Sequence, residues 1–176
     1  LSRRQRQMCI RDSIYRSCNV YKVVYSYTHA RIKHGALVDR GANGGICGGD
    51  TRVFQTTGRT VDIQGIDSHQ IVNIPVVSAG AVVKTHCGNV ILIFHQYAHV
   101  LNSKTIHSSA QLEMFGNSVD EKSLLVPGGK QCITTPDGYC IPLNIKSGLP
   151  YMSMRPYTDS EWNSLPHVII TSDATW

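Results

Sequence analysis

Ala36-Leu37-Val38-Asp39-Arg40-Gly41-Ala42-Asn43 decides how this chain is read. Three small or apolar residues make the end of a strand and carry a carboxylate to its tip. Gly41 then allows a sharp turn, because glycine reaches backbone conformations closed to other residues. The stretch therefore predicts a strand that ends on Asp39 and a tight turn that presents its side chain. Arg40 sits between the two and brings five N–H donors, and no acceptor, into that turn.

Outward from this point, periodicity predicts strands almost throughout. Residues 20–27 and 35–39 are short runs rich in β-branched, aromatic or aliphatic side chains. Residues 59–64 and 70–74 alternate polar and apolar around a turn at 65–69, which reads as a hairpin. Residues 81–84 and 89–94 form a second pair, and 133–141 a third, with Pro136-Asp137-Gly138 supplying turn chemistry. Two short helices are expected. Ser108 and Gln111 have capping-box spacing before Leu112, with Gly116 as a stop, and Thr158 and Glu161 repeat the device before Trp162, with Pro166 limiting the length. The fold class is all-β with one or two short helices, by default a sheet-rich barrel or sandwich.

Residues 3–13 resemble the continuous translation of an adapter used to prepare sequencing libraries, so residues 1–13 are set aside from fold reasoning as non-native. The other reading is a basic arm. The whole chain has 17 Lys+Arg against 12 Asp+Glu, a net charge of +5. Four of those arginines and one aspartate lie in residues 1–13, so the rest carries 13 against 11, or +2. The basic footprint expected of a nucleic-acid binder thereby largely disappears. The remainder is long enough for one domain with a core, and no apolar run is long enough for a membrane span. A soluble, intracellular and cytoplasmic protein is expected. Of the six cysteines, the five outside residues 1–13, Cys18, Cys47, Cys87, Cys132 and Cys140, are odd in number and widely spaced, which favours free thiols in a reducing compartment; a Cys132–Cys140 pairing across the third hairpin is the alternative.

The segment from Gly35 to about Gly116 resembles the protease region of copia-type LTR retrotransposon polyproteins, which are retropepsin-like aspartic proteases. The resemblance rests on Val38-Asp39-Arg40-Gly41-Ala42-Asn43-Gly44-Gly45, on the apolar strand from Asn89 to Val100, and on the apolar-Ser segment and amphipathic stretch from Lys104 to Leu112. It implies a retropepsin-like half-barrel with a closed sheet over 35–116, preceded by a lead-in strand at 14–34. Residues 117–176 would then be a trailing β or linker segment towards the integrase part of the polyprotein.

Other aspartates do not repeat the motif. Asp67 is followed two residues on by His69, Asp137 sits in a Pro-Asp-Gly turn, and Asp173 lacks a following glycine. One motif per chain makes any enzyme of this kind a homodimer, with Asp39 from each protomer sharing one proton and activating a water against a peptide bond. Asp39, Gly41 and Arg40 are the catalytic-motif residues, and the substrate is a polypeptide. No cofactor and no metal are expected. If the 59–76 hairpin is the flap that closes over an extended peptide, Gly65 and Ile66 touch substrate; a plain surface turn is the alternative.

Arg40 departs from the family's Ser or Thr. In the family that hydroxyl bonds across the dimer, and a guanidinium cannot make the same network. Two readings stay open: an active endopeptidase in which Arg40 points outward or meets a carboxylate, and a catalytically inactive, structural or assembly segment of a retroelement polyprotein.

Other chemistry is weaker. His95 and His99 fall on one face at a spacing of four but lack further ligands, so ordinary surface or half-buried histidines are expected. Residues 44–49 are glycine-rich without the Gly-Lys-Ser/Thr ending of a phosphate loop, which favours a flexible loop. Cys47 has no identifiable base partner, which favours a structural thiol.

Overall fold

The computed structural model describes residues 35–65 and 69–176. The expectations for residues 1–13 and 14–34, and for Ile66, lie outside the described residues.

The chain is all-β with two short helices. Its strands are β1 (Ala36–Asp39), β2 (Ile46–Cys47), β3 (Arg52–Gln64), β4 (Gln70–Thr85), β5 (Gly88–His99), β6 (Ile106–Ser108), β7 (Ser118–Asp120), β8 (Cys132–Thr134), β9 (Cys140–Lys146), β10 (Leu149–Met152), β11 (Met154–Arg155) and β12 (His167–Ile169). The helices are α1 (Ser109–Met114) and α2 (Asp159–Ser164). The strands follow the order β11-β4-β5-β2-β6-β1-β10-β9-β8-β7, with β3 added to β4 and β12 to β5. The sheet curls into an open half-barrel. Its path starts at β11 and ends at β7, so the closure expected of the sheet is not completed among the described residues.

All three hairpins form, and two are much longer than alternation alone marks. β3 and β4 pair from Gln64↔Gln70 at the tip to Arg52↔Gly80 at the base. β4 and β5 continue the ladder to Thr85↔Gly88. The apolar middle of this pair is buried on both faces. Ala81, Val83, Val90 and Leu92 enter the main core with Val38, Phe94, Tyr97, Leu112 and Ile141. Val82, Ile91 and Ile93 instead pack with Tyr157, and Trp162 and Leu165 of the α2 region cover them. Alternation breaks down where both faces of a strand are dry, as it does here.

Residues on both sides of position 117 share the sheet. β1 pairs in parallel with β6 and antiparallel with β10, and β10 pairs with β9.

Both caps form. Ser108 accepts from the Gln111 amide at 3.3 Å. Thr158 and Glu161 make the full reciprocal capping box, 3.2 Å from the Glu161 amide to Thr158 Oγ1 and 2.9 Å from the Thr158 amide to Glu161 Oε2. After α1, Gly116 takes a left-handed φ of 90° and its amide returns to the Glu113 carbonyl at 2.9 Å, which ends the helix.

Residues 44–49 are not the loose loop their composition suggests. Ile46 and Cys47 form β2, wedged between β5 and β6. A Cβ on Gly45 would clash with the edge of the Tyr97 ring, and one on Gly48 would overlap the Ser103 carbonyl. These glycines are needed for close approach rather than for flexibility.

Candidate active site

Asp39 is the last residue of β1, and its position follows from the parallel pairing with β6. Leu37, Val38 and Asp39 stand opposite Ile106, His107 and Ser108, and the Leu37 amide donates to the Thr105 carbonyl at 2.9 Å. Parallel strands leave the sheet at the same end. The Asp39 turn and the start of α1 therefore meet there.

The turn is built as the sequence predicts. The Gly41 amide donates to Asp39 Oδ1 at 2.7 Å, which orients the half-buried carboxylate. The loop that follows is fastened to α1 at several points. Ser108 Oγ donates to the Ala42 carbonyl at 2.6 Å, and Gln111 Oε1 accepts from the Gly45 amide at 2.9 Å. Trp176 Nε1 donates to the Asn43 carbonyl at 2.6 Å.

Arg40 turns to neighbouring carboxylates and makes no ion pair with Asp39. Its guanidinium donates to both oxygens of Glu113 on α1, at 3.2 and 3.0 Å, and to the Val119 carbonyl at 3.3 Å. Arg40 Nε lies 3.5 Å from Glu121 Oε1. Ser109 Oγ donates to the same Glu121 oxygen at 2.6 Å. The hydrogen bonds to Glu113 raise the Arg40 pKa; burial opposes them, and the charges of Glu121 and then Glu113 add smaller upward contributions.

Beneath the site lies a dry aromatic and polar layer. Tyr97 Oη and His107 Nδ1 are 2.8 Å apart, both residues are fully buried, and Phe94 meets the imidazole edge-on at 5.5 Å between centroids. His107 Nε2 has no hydrogen-bond partner. Burial pushes the His107 pKa down to about 4, so the ring is neutral in the fold.

The remaining candidates separate. Gly65 is exposed at the tip of the β3–β4 hairpin, where its amide donates to the His69 carbonyl at 2.7 Å. The outer half of that hairpin is largely exposed, including Val61 and Val72. His95 and His99 do not share a face by simple alternation. Val77 pairs with Tyr97 and Ala79 with Phe94, so β5 carries one extra residue, and Gln96 has a φ of 61°. His95 Nδ1 contacts Ser78 Oγ at 2.8 Å, and burial lowers its pKa. Among the described residues, no three His, Cys, Asp or Glu side chains converge as metal ligands.

Cys47 is buried, and desolvation pushes its thiol up to about 12, the reverse of nucleophile activation. Cys87, Cys132 and Cys140 are free thiols as well. Cys132 stands opposite Pro142 and Cys140 opposite Thr134, so the two cysteines are diagonal rather than direct neighbours in the ladder.

A shallow cleft is lined by Gln111, Met114, Phe115 and Trp176, and Asp39 does not line it. Among the described residues, no helix is long and apolar enough to cross a membrane.

Sequence reading assigned Ser108 and Gln111 to capping alone and missed Glu113 and Glu121. The caps carry a local signature, but a single glutamate that closes on an arginine 73 residues away carries none. No family model matches the chain, and no curated protein or solved structure matches it either.

Proposed function

We propose that this chain is one half of a homodimeric, retropepsin-like aspartic endopeptidase that processes a retroelement polyprotein in the cytoplasm, within an element particle. The observation that carries this reading is the strand-tip carboxylate of Asp39, oriented by the Gly41 amide at 2.7 Å and brought beside the start of α1 by the parallel β1–β6 pair. A lone carboxylate there is an ordinary acid. Two of them across a two-fold axis would share a proton, so that one draws a proton from water while the other donates to the carbonyl oxygen under attack. Gly65 at the tip of the long β3–β4 hairpin, with Ile66, would then contact an extended peptide added strand-wise.

Arg40 favours a second reading, a non-catalytic polyprotein segment, because it removes the Ser or Thr hydroxyl that the resemblance leads one to expect. One experiment separates the two. The full chain is incubated over a range of pH and protein concentration, and cleavage of its own sequence and of apolar peptides is followed by mass spectrometry. The endopeptidase reading expects acid-favoured cleavage that rises with dimer concentration and vanishes in Asp39→Asn. A folded protein that cleaves nothing at any pH, and in which Asp39→Asn alters stability alone, supports the second reading.

A further inference from the structure

Arg40 lies between the acid and the glycine that orients it, so a restraint on its side chain acts next to the Asp39–Gly41 turn. Two carboxylates from separate parts of the chain hold it. Glu113 takes both terminal nitrogens from α1, and Glu121 approaches Nε from the segment after β7. Ser109 Oγ holds Glu121 in place at 2.6 Å, and the Val119 carbonyl accepts from the guanidinium at 3.3 Å. Such a fork-shaped arrangement restricts direction as well as distance, which a lysine or a single contact would not.

We propose that Glu113 and Glu121 are positioning residues for Asp39: they clamp Arg40 within one protomer and so hold the Gly41 amide on the Asp39 carboxylate. The clamp does inside one chain what a bond across the dimer would otherwise do. Its catalytic consequence rests on the endopeptidase reading; its structural consequence does not. Ser108 and Gln111 tie the far side of the same loop to α1, at Ala42 and Gly45. Those ties leave the Arg40 end dependent on the two glutamates. The clamp is half exposed, with side-chain exposures of 55% for Arg40, 40% for Glu113 and 24% for Glu121, so salt weakens it.

The test uses the full chain and the Glu113→Gln/Glu121→Gln double variant. Amide exchange at Gly41 is measured by NMR, with Gly138 in the distant β8–β9 turn as an internal control. The expected result is a rise of roughly three- to fivefold at Gly41, with Gly138 unchanged. Arg40→Gln, which removes the charge that both glutamates hold, should raise exchange at Gly41 to a similar extent. Unchanged exchange at Gly41, or an equal rise at Gly138, overturns the proposal. Where the wild-type chain cleaves, the double variant should lose about tenfold in kcat with KM within about twofold. A wild-type chain that never cleaves defeats the endopeptidase reading, yet the Gly41 exchange still decides the clamp.

Discussion

Ser108 Oγ donates to the Ala42 carbonyl at 2.6 Å and accepts the Gln111 amide at 3.3 Å. One buried hydroxyl therefore caps α1 and fastens the loop that follows Asp39. Ser108→Ala removes both bonds and leaves the Ala42 carbonyl without this donor. We expect a loss of about 1–2 kcal/mol, read as a lower urea midpoint with an unchanged slope.

His107 sets an acid limit on the fold. Its pKa falls from an ordinary 6.5 to about 4 because it is buried. The unfolded chain therefore binds a proton in a range where the native chain does not. Stability from this residue is complete above about 6.5, declines as pH falls and is lost by about 4, with a total of at most roughly 3 kcal/mol. Thermal unfolding scanned between those pH values should show this slope, and His107→Phe should flatten it. Any acid-favoured cleavage must then operate on the flank of its own acid unfolding.

Gly45 and Gly48 provide a sharp test of the glycine-rich stretch. A Cβ at either position collides, with the buried Tyr97 ring in one case and the Ser103 backbone in the other. Gly45→Ala and Gly48→Ala should each cost about 1–3 kcal/mol or more by urea unfolding, with Gly48 worse because backbone cannot move aside as a ring can. Equal tolerance of both changes would mean the stretch is loose in solution.

The α2 cap should also titrate. The Arg155 guanidinium, with help from Thr158, holds the Glu161 carboxyl down to about 2. A depressed carboxyl pKa stabilises above the ordinary value near 4.5 and loses that contribution as pH falls towards about 2. Thr158→Ala should cost about 1 kcal/mol at neutral pH. Trp162 packs on Tyr157 at 4.7 Å between centroids, so its fluorescence reports the fraying directly.

The hairpins and caps were legible because their signals are local. Alternation over 59–64 and 70–74, the Pro136-Asp137-Gly138 turn and the Thr158/Glu161 box each lie within a few residues. The extent of the ladders was not. Residues 79–83 and 90–94 are continuous runs of small or apolar residues because one face serves the main core and the other serves Tyr157 and Trp162. The one-residue bulge at Gln96 was equally silent in the sequence and undid the same-face argument for His95 and His99. At the candidate site, Asp39 and the Gly41 turn were visible, whereas the partners of Arg40 were not.

By itself, the sequence determined a strand that ends on Asp39, the glycine that turns behind it and the residues that start each helix. Those features depend on steric and hydrogen-bonding rules that act over a few residues. Only the tertiary structure decided that β1 lies parallel to β6, that Asp39 stands opposite Ser108 and that Arg40 closes on Glu113 and Glu121. Such contacts join distant parts of the chain through strand register and shared burial, and no local pattern of side chains encodes which pair will meet.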